Sequence, residues 1–209
     1  MNVYASFAEF GSHMTPASPV SPDLLRRLRQ RDPEAVGEAV CEHARTLFRA
    51  ARGLGFAAPE AEDLIQDVFT IFLERLDAFE GRSNLRTWLF GILHRKVLER
   101  RRASVMDQRT DPIDEVFEFR FDTKGNWTLP PANLERLFLS KELGELIREC
   151  MDGLPVNQRE AFVLREVEGF QSEEICQILE VSVTNFGVLM HRARIRLREC
   201  LEAKGWTRT

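Results

Sequence analysis

Arginines stand at 192, 194, 196 and 198, shortly after Thr184 and Asn185. A guanidinium donates to guanine edges or phosphate oxygens, and an asparagine amide pairs with adenine, so this composition suits DNA. A second basic cluster, His94-Arg95-Lys96 and Arg100-Arg101-Arg102, ends a helical pattern. The helix dipole favours cations there with or without a ligand. Just before it lies the polar stretch 79–85, FEGRSNL, followed by Trp88. A polar loop beside an aromatic ring and dense arginine is what contact with single-stranded or duplex DNA requires. A third group is acidic: Glu60, Glu62, Asp63 and Asp67, with Gln66 between them. It fits a solvated surface as well as it fits a basic partner. None of the four histidines follows a glutamate by three residues, so the Glu-x-x-His pairing of helical metal sites is missing. No catalytic residues, no metal and no cofactor are expected.

The elements that position these groups read as helices, and the fold class is all-α. Two short helical patterns, Ser172–Leu179 and 183–201, flank the tight Glu180-Val181-Ser182. That is a helix-turn-helix, whose second helix enters the DNA major groove and is capped by Ser182. Ile175, Cys176, Ile178, Leu179, Val181, Val188, Leu189, Ala193 and Leu197 form its expected core. Upstream, helices are expected at 140–151, ending before Gly153, and at 156–167, opened by Pro155 and ended by Gly169. In the first half, Asp32 caps a helix from Pro33 to the Gly53/Gly55 breakers, and another starts at Pro59. In that second helix Ile65, Val68, Phe69, Phe72, Leu73 and Leu76 make one apolar face, opposite Asp63, Gln66, Asp67, Thr70 and Glu74. A helix over 86–102 turns Trp88, Leu89, Ile92, Leu93, Val97 and Leu98 inward.

These elements divide into two small helical domains, 21–103 and 134–203, joined by a long acidic linker, 104–133. A linker of roughly thirty residues is longer than an ordinary loop. Its alternating Phe117, Phe119 and Phe121, with Trp127, suit either docking on a partner or packing on the chain's own domains. The run 127–131, WTLPP, has no physical account. Residues 1–20 combine a stretch resembling a cleaved-tag remnant, Gly11-Ser12-His13-Met14, with a Pro/Ser-rich disordered segment, and 204–209 form a tail. No apolar run approaches the ~18–20 residues of a membrane span, so membrane insertion is not expected. The four cysteines are dispersed without a C-x-x-C pair and read as buried small hydrophobes in a reducing cytoplasm. With 33 acidic against 29 basic residues, the chain is acidic and its basic clusters are local.

Taken together, residues 61–102 resemble region 2 of bacterial extracytoplasmic-function (ECF) sigma factors of the sigma-70 family, and residues 154–200 resemble their region 4. The resemblance implies binding to core RNA polymerase, recognition of promoter minus-ten and minus-thirty-five elements, and help in DNA opening. It assigns Asp63, Gln66, Asp67 and Leu73 to the beta-prime clamp helices, and implies contact with the beta flap. It assigns Arg82, Ser83, Asn84, Arg95 and Arg100 to minus-ten DNA, with a base flipped into the 80–84 loop. Arg165, Thr184, Asn185, Gly187, His191 and Arg192 go to the minus-thirty-five element, phosphate or core contact being the alternatives for His191. Many members carry a basic-Ser-basic run where this chain has Gly187-Val188-Leu189. The linker resembles the region 3.2 connector, and an anti-sigma factor is the implied regulator.

Two other classes are weighed. A conventional helix-turn-helix repressor explains 154–201 but leaves 61–102 and the acidic linker without a purpose. A helical metalloenzyme fails on its missing Glu-x-x-His pairs. The long linker further predicts that the free chain samples many interdomain arrangements.

Overall fold

The computed structural model describes residues 20–81, 83–103 and 141–205. The linker, the expected helix start near 134 and Arg82 lie outside the described residues. Among those residues the secondary structure is helical, with no strand.

The first unit opens with α1 (Pro22–Arg29), where the Ser21 hydroxyl caps the Leu24 amide. This short helix precedes the expected start of helical pattern and sinks Leu28 into the core. Helix α2 (Pro33–Gly53) begins as the sequence predicts: the Asp32 carboxylate accepts from the Glu34 amide and Pro33 takes the first helical position. Helix α3 (Ala58–Glu74) follows, then a single 3-10 turn (Leu76–Ala78) and α4 (Leu85–Ala103). Leu47, Leu64, Val68, Phe72, Leu76, Leu89 and Leu93 are fully buried between α2, α3 and α4.

The second unit comprises α5 (Lys141–Asp152), α6 (Val156–Phe162), α7 (Ser172–Leu179) and α8 (Val183–Ala203). Helix α6 runs into one π turn (Val163–Val167), in which the Glu168 amide reaches back five residues to the Val163 carbonyl. That wider turn redirects Glu168 toward the first unit. Between α7 and α8, Glu180 adopts the left-handed conformation at φ 56°, giving the tight reversal of the helix-turn-helix.

Two expectations are corrected here. Phe186, Met190, Ala193, Leu197 and Leu201 are the buried face of α8, whereas Val188 and Leu189 are half-buried. Cys150 and Cys200 are not separate small hydrophobes: they form a disulfide between α5 and α8, with Cα atoms 5.7 Å apart. Cys41 and Cys176 are free.

The two units are docked. Helices α2 and α4 meet the α6 end, the π turn and α7, so a single buried cluster runs through both. Gly53 permits this approach, because a Cβ there would stand 3.3 Å from the Val163 side chain.

Candidate nucleic-acid interface

Helix α3 presents the acidic group on the side away from its buried Leu64, Ile65, Val68 and Phe72. Asp63 and Gln66 are exposed, Asp67 is half-buried and Leu73 packs against the core edge. Asp67 also has internal partners: Arg100 Nη2 lies 2.9 Å and Lys96 Nζ 3.8 Å from its Oδ2. One residue assigned to the polymerase is thus ion-paired with one assigned to minus-ten DNA. Arg100 also donates to the Glu60 carbonyl.

The loop before α4 is built around aromatic packing. Phe79 stacks on Trp88 with ring centroids 4.6 Å apart, and Phe72 meets Trp88 edge-on at 5.7 Å. Arg29 anchors the loop from α1 by donating to the Phe79 carbonyl at 2.9 Å. Gly81 takes φ +73° directly beneath Leu25, where a Cβ would come within 2.8 Å. An open hollow of about 180 Å³ is lined by Ala78, Phe79, Glu80, Gly81, Ser83 and Trp88. The two rings are its floor, leaving polar edges at the rim.

Asn84 has two roles. Its Oδ1 accepts from the Thr87 amide at 2.6 Å, closing the first turn of α4. Its Nδ2 donates to Glu174 Oε1 of the second unit at 2.8 Å, and the Thr87 hydroxyl reaches the same oxygen at 3.2 Å. Further along α4, Arg95 pairs with Glu180 at 2.8 Å, both side chains remaining largely exposed. The hydrogen bond from Arg95 holds the Glu180 carboxyl below the usual carboxylate range. A second hollow, about 140 Å³, lies between Ser83, Trp88 and Arg95 on one side and Gln177 and Ile178 on the other.

On the second unit, Ser182 caps α8 by accepting from the Asn185 amide at 3.2 Å. Thr184 and Asn185 are exposed on that first turn, Gly187 is half-exposed and Arg192 half-buried. His191 is 5% exposed, which favours the core alternative for it. Arg165 sits in the π turn and donates to the Phe170 carbonyl at 3.0 Å. The four arginines of α8 do not share a face, because residues two apart on a helix turn by about 200°. Arg194 pairs with Glu166, Arg196 donates to Gln158 at 3.3 Å, and Arg198 faces solvent.

Sequence reasoning missed the contact between the units. Glu168, with no exposed side-chain surface, receives Arg49 through two 2.8 Å hydrogen bonds and Arg86 through one of 3.1 Å. Arg86 also donates to the Glu168 carbonyl at 2.7 Å and lies 4.0 Å over the Phe170 ring. Burial lowers the Arg86 pKa, and the Glu168 charge opposes that effect. His94 Nδ1 meets Glu160 Oε1 at 2.8 Å in a buried pair, and Arg159 Nε donates to the Gly53 carbonyl at 2.7 Å. These residues give no local signal; only their pairing across more than sixty residues makes them interior.

Comparison with known proteins decides what carries this surface. Residues 40–105 match the sigma-70 region 2 model and residues 144–197 the sigma-70 region 4 model. A probable RNA polymerase sigma factor of Haemophilus influenzae is 32% identical over 152 residues, 69% of this chain and 78% of that protein. The chain is an ECF sigma factor of the sigma-70 family. RNA polymerase sigma factor YlaC of Bacillus subtilis is 31% identical over 139 residues, 66% of this chain and 76% of that one. Among solved structures, CnrH in complex with the cytosolic domain of CnrY matches with TM-score 0.61 and 25% identity, covering 87% of this chain and 96% of that one. Sigma factor RpoE in complex with the anti-sigma factor NepR from Bartonella quintana matches with TM-score 0.58 and 27% identity, covering 79% and 96%. As a sigma factor the chain acts in transcription initiation, with RNA polymerase and promoter DNA as its partners. Among the described residues of this sigma factor, no helix is long and apolar enough to cross a membrane.

Proposed function

We propose that this sigma factor divides its work among three faces. The α3 face, with Asp63, Gln66, Asp67 and Leu73, docks on the beta-prime clamp helices, and the second unit engages the beta flap. Arg82, Ser83, Asn84, Arg95 and Arg100 bind the minus-ten element, a flipped base entering the hollow over Phe79 and Trp88. Arg165, Thr184, Asn185, Gly187 and Arg192 bind the minus-thirty-five element. The domain limits are 21–103 and 134–203, with 104–133 as connector. The role is binding without catalysis, carried out in the cytoplasm and controlled by an anti-sigma factor.

The observation that supports this most is the exposure of polar groups on separate elements: Asp63 and Gln66 on α3, Arg95 on α4, Thr184 and Asn185 on α8. Two carboxylates and an amide around an apolar residue suit a basic helical partner. Exposed donors at a capped helix N-terminus suit a groove or phosphate. Gel filtration with purified core polymerase and no DNA tests the first face. Co-elution is expected from the native protein and is lost in the Asp63→Arg/Asp67→Arg variant. Arg192→Ala is expected to keep co-elution while lowering promoter-dependent transcription about tenfold or more, the loss of one good base contact. Loss of core binding in both variants contradicts the division of faces.

A further inference from the structure

We propose that α1 is a positioning element for the minus-ten site. Its Leu25 and Arg29 brace the loop at 79–81 and so hold the hollow over Phe79 and Trp88 in shape before DNA arrives. The inference rests on the minus-ten reading given above and adds residues that the reading does not use.

The contacts follow one another along two segments. Arg31, just past α1, lies 3.9 Å from Asp77 of the 3-10 turn, both side chains being largely exposed. Arg29 donates twice to the Phe79 carbonyl, from Nη2 at 2.9 Å and from Nε at 3.3 Å. Leu25 covers Gly81 so closely that a Cβ on that glycine, which sits at φ +73°, would stand 2.8 Å from Leu25 Cδ2. Residues 31, 29 and 25 thus meet 77, 79 and 81, and α1 runs antiparallel to the loop. Phe79 and Gly81 line the hollow, whereas none of its lining residues belongs to α1. The brace therefore acts on the wall and leaves the opening clear.

Helix α1 can hold the loop because it is itself fixed. Leu28 is fully buried, Ser21 caps the first turn, and Arg27 pairs with Asp32 at 2.8 Å where the chain turns into α2. The loop needs that support between its two ends. Phe79 is stacked on Trp88 at one end and Asn84 caps α4 at the other, but the wall between them is a short glycine-containing stretch outside any helix. Such a stretch has many backbone states to lose on ordering. A pocket already in its receptive form loses none of the ligand's binding energy to that ordering. The Arg29 fork ends on a neutral carbonyl rather than on a carboxylate, so its bonds fix geometry without forming an ion pair.

The test uses the full chain, alone and in holoenzyme with core polymerase, at a promoter that the native holoenzyme transcribes. Arg29→Ala removes the hydrogen bonds, and Leu25→Ala removes the packing without changing charge. Arg26→Ala is the charge control, because Arg26 lies on the same helix, exposed and paired with Asp23. In a Trp127→Phe/Trp206→Phe background Trp88 is the one tryptophan left, and acrylamide quenching reads its cover by Phe79. Both brace variants are expected to keep native circular dichroism and co-elution with core, and to show increased Trp88 quenching. Their promoter affinity in the cold, before opening, is expected to stay native. Their rate of opening, read by permanganate reactivity of unpaired thymines, is expected to fall about tenfold, as when a receptive loop is populated one part in ten. Arg26→Ala is expected to match the native protein in every readout. Loss of core binding together with opening would make α1 a structural helix only and overturn the proposal. Native Trp88 quenching in both brace variants overturns it too. Slow opening in Arg29→Ala with native opening in Leu25→Ala would put the Arg29 charge on DNA and likewise remove the brace. An Arg82→Ala/Ser83→Ala variant separates the two readings. If it slows opening and the brace variants do not, the brace falls and the minus-ten reading stands. If none of the three slows opening, the minus-ten reading falls with it.

Discussion

His43 shows what a single buried group contributes. It lies on α2 with 8% of its surface exposed, and burial holds its imidazole below the ordinary value; Arg86 adds to that shift and Glu42 opposes it. A base whose folded pKa is lowered supports the fold fully above its unfolded pKa and loses that support as pH falls toward the folded value. The unfolding midpoint is therefore expected to drop as pH falls below about 6.5, and His43→Gln is expected to flatten that portion of the profile. Thermal melts of both proteins between about pH 7 and pH 5 make the comparison, and parallel curves would remove His43 from the account. Cys176 runs the other way for reactivity, since burial first and then Glu173 push its thiol up and keep the nucleophilic thiolate scarce. Many of the polar residues singled out in the sequence lie at the surface, because their types and local spacing carry the signal. His94 and His191 are exceptions, and a histidine such as His191 among Met190, Ala193 and Leu197 gives no sign of which way it faces until α8 is packed.

At the scale of elements, caps and breakers carried most of what was legible. Asp32-Pro33 and Ser182 start their helices where side-chain capping predicts, and the stop near Gly53 follows from its glycines. On α8 the expected Ala193 and Leu197 are buried and Leu189 packs at the core edge, but Val188 is as apolar as the buried Phe186 and Met190, and only contact with α5 and α6 selects among them. The disulfide between α5 and α8 had no local signature, its cysteines being 50 residues apart in the chain. A cross-link closing a loop of that length restricts the unfolded chain by up to about 4 kcal/mol. Reduction with dithiothreitol is expected to lower the melting temperature, the loss originating in the second unit that the cross-link staples. Cys150→Ser is expected to lower it equally and to become insensitive to the reductant. A native melt that ignores the reductant would mean that the thiols do not cross-link in solution.

At the scale of the whole molecule, charge patterning points in two directions. Read along the sequence, Arg49, Arg86, Glu160 and Glu168 are ordinary surface residues of amphipathic helices, and a long acidic linker argues for loosely tethered units. In the fold these same residues form the seam of one registered contact, and small-angle scattering decides between it and the many interdomain arrangements that the long linker predicts. Its response to salt follows from burial. The Arg95–Glu180 pair is about 60% exposed on both sides and is screened once the Debye length falls below a few ångströms. Glu168 has no exposed side-chain surface, and its bonds to Arg49 and Arg86 are screened far less. The radius of gyration of the native chain is therefore expected to stay constant from about 0.05 to 0.5 M salt, while DNA affinity falls steeply over the same range. An expansion that tracks ionic strength would transfer the seam's stability to its exposed pairs and leave Glu168 as a passenger. Constancy in the native chain together with expansion in Arg49→Gln would locate the lock in the buried carboxylate itself.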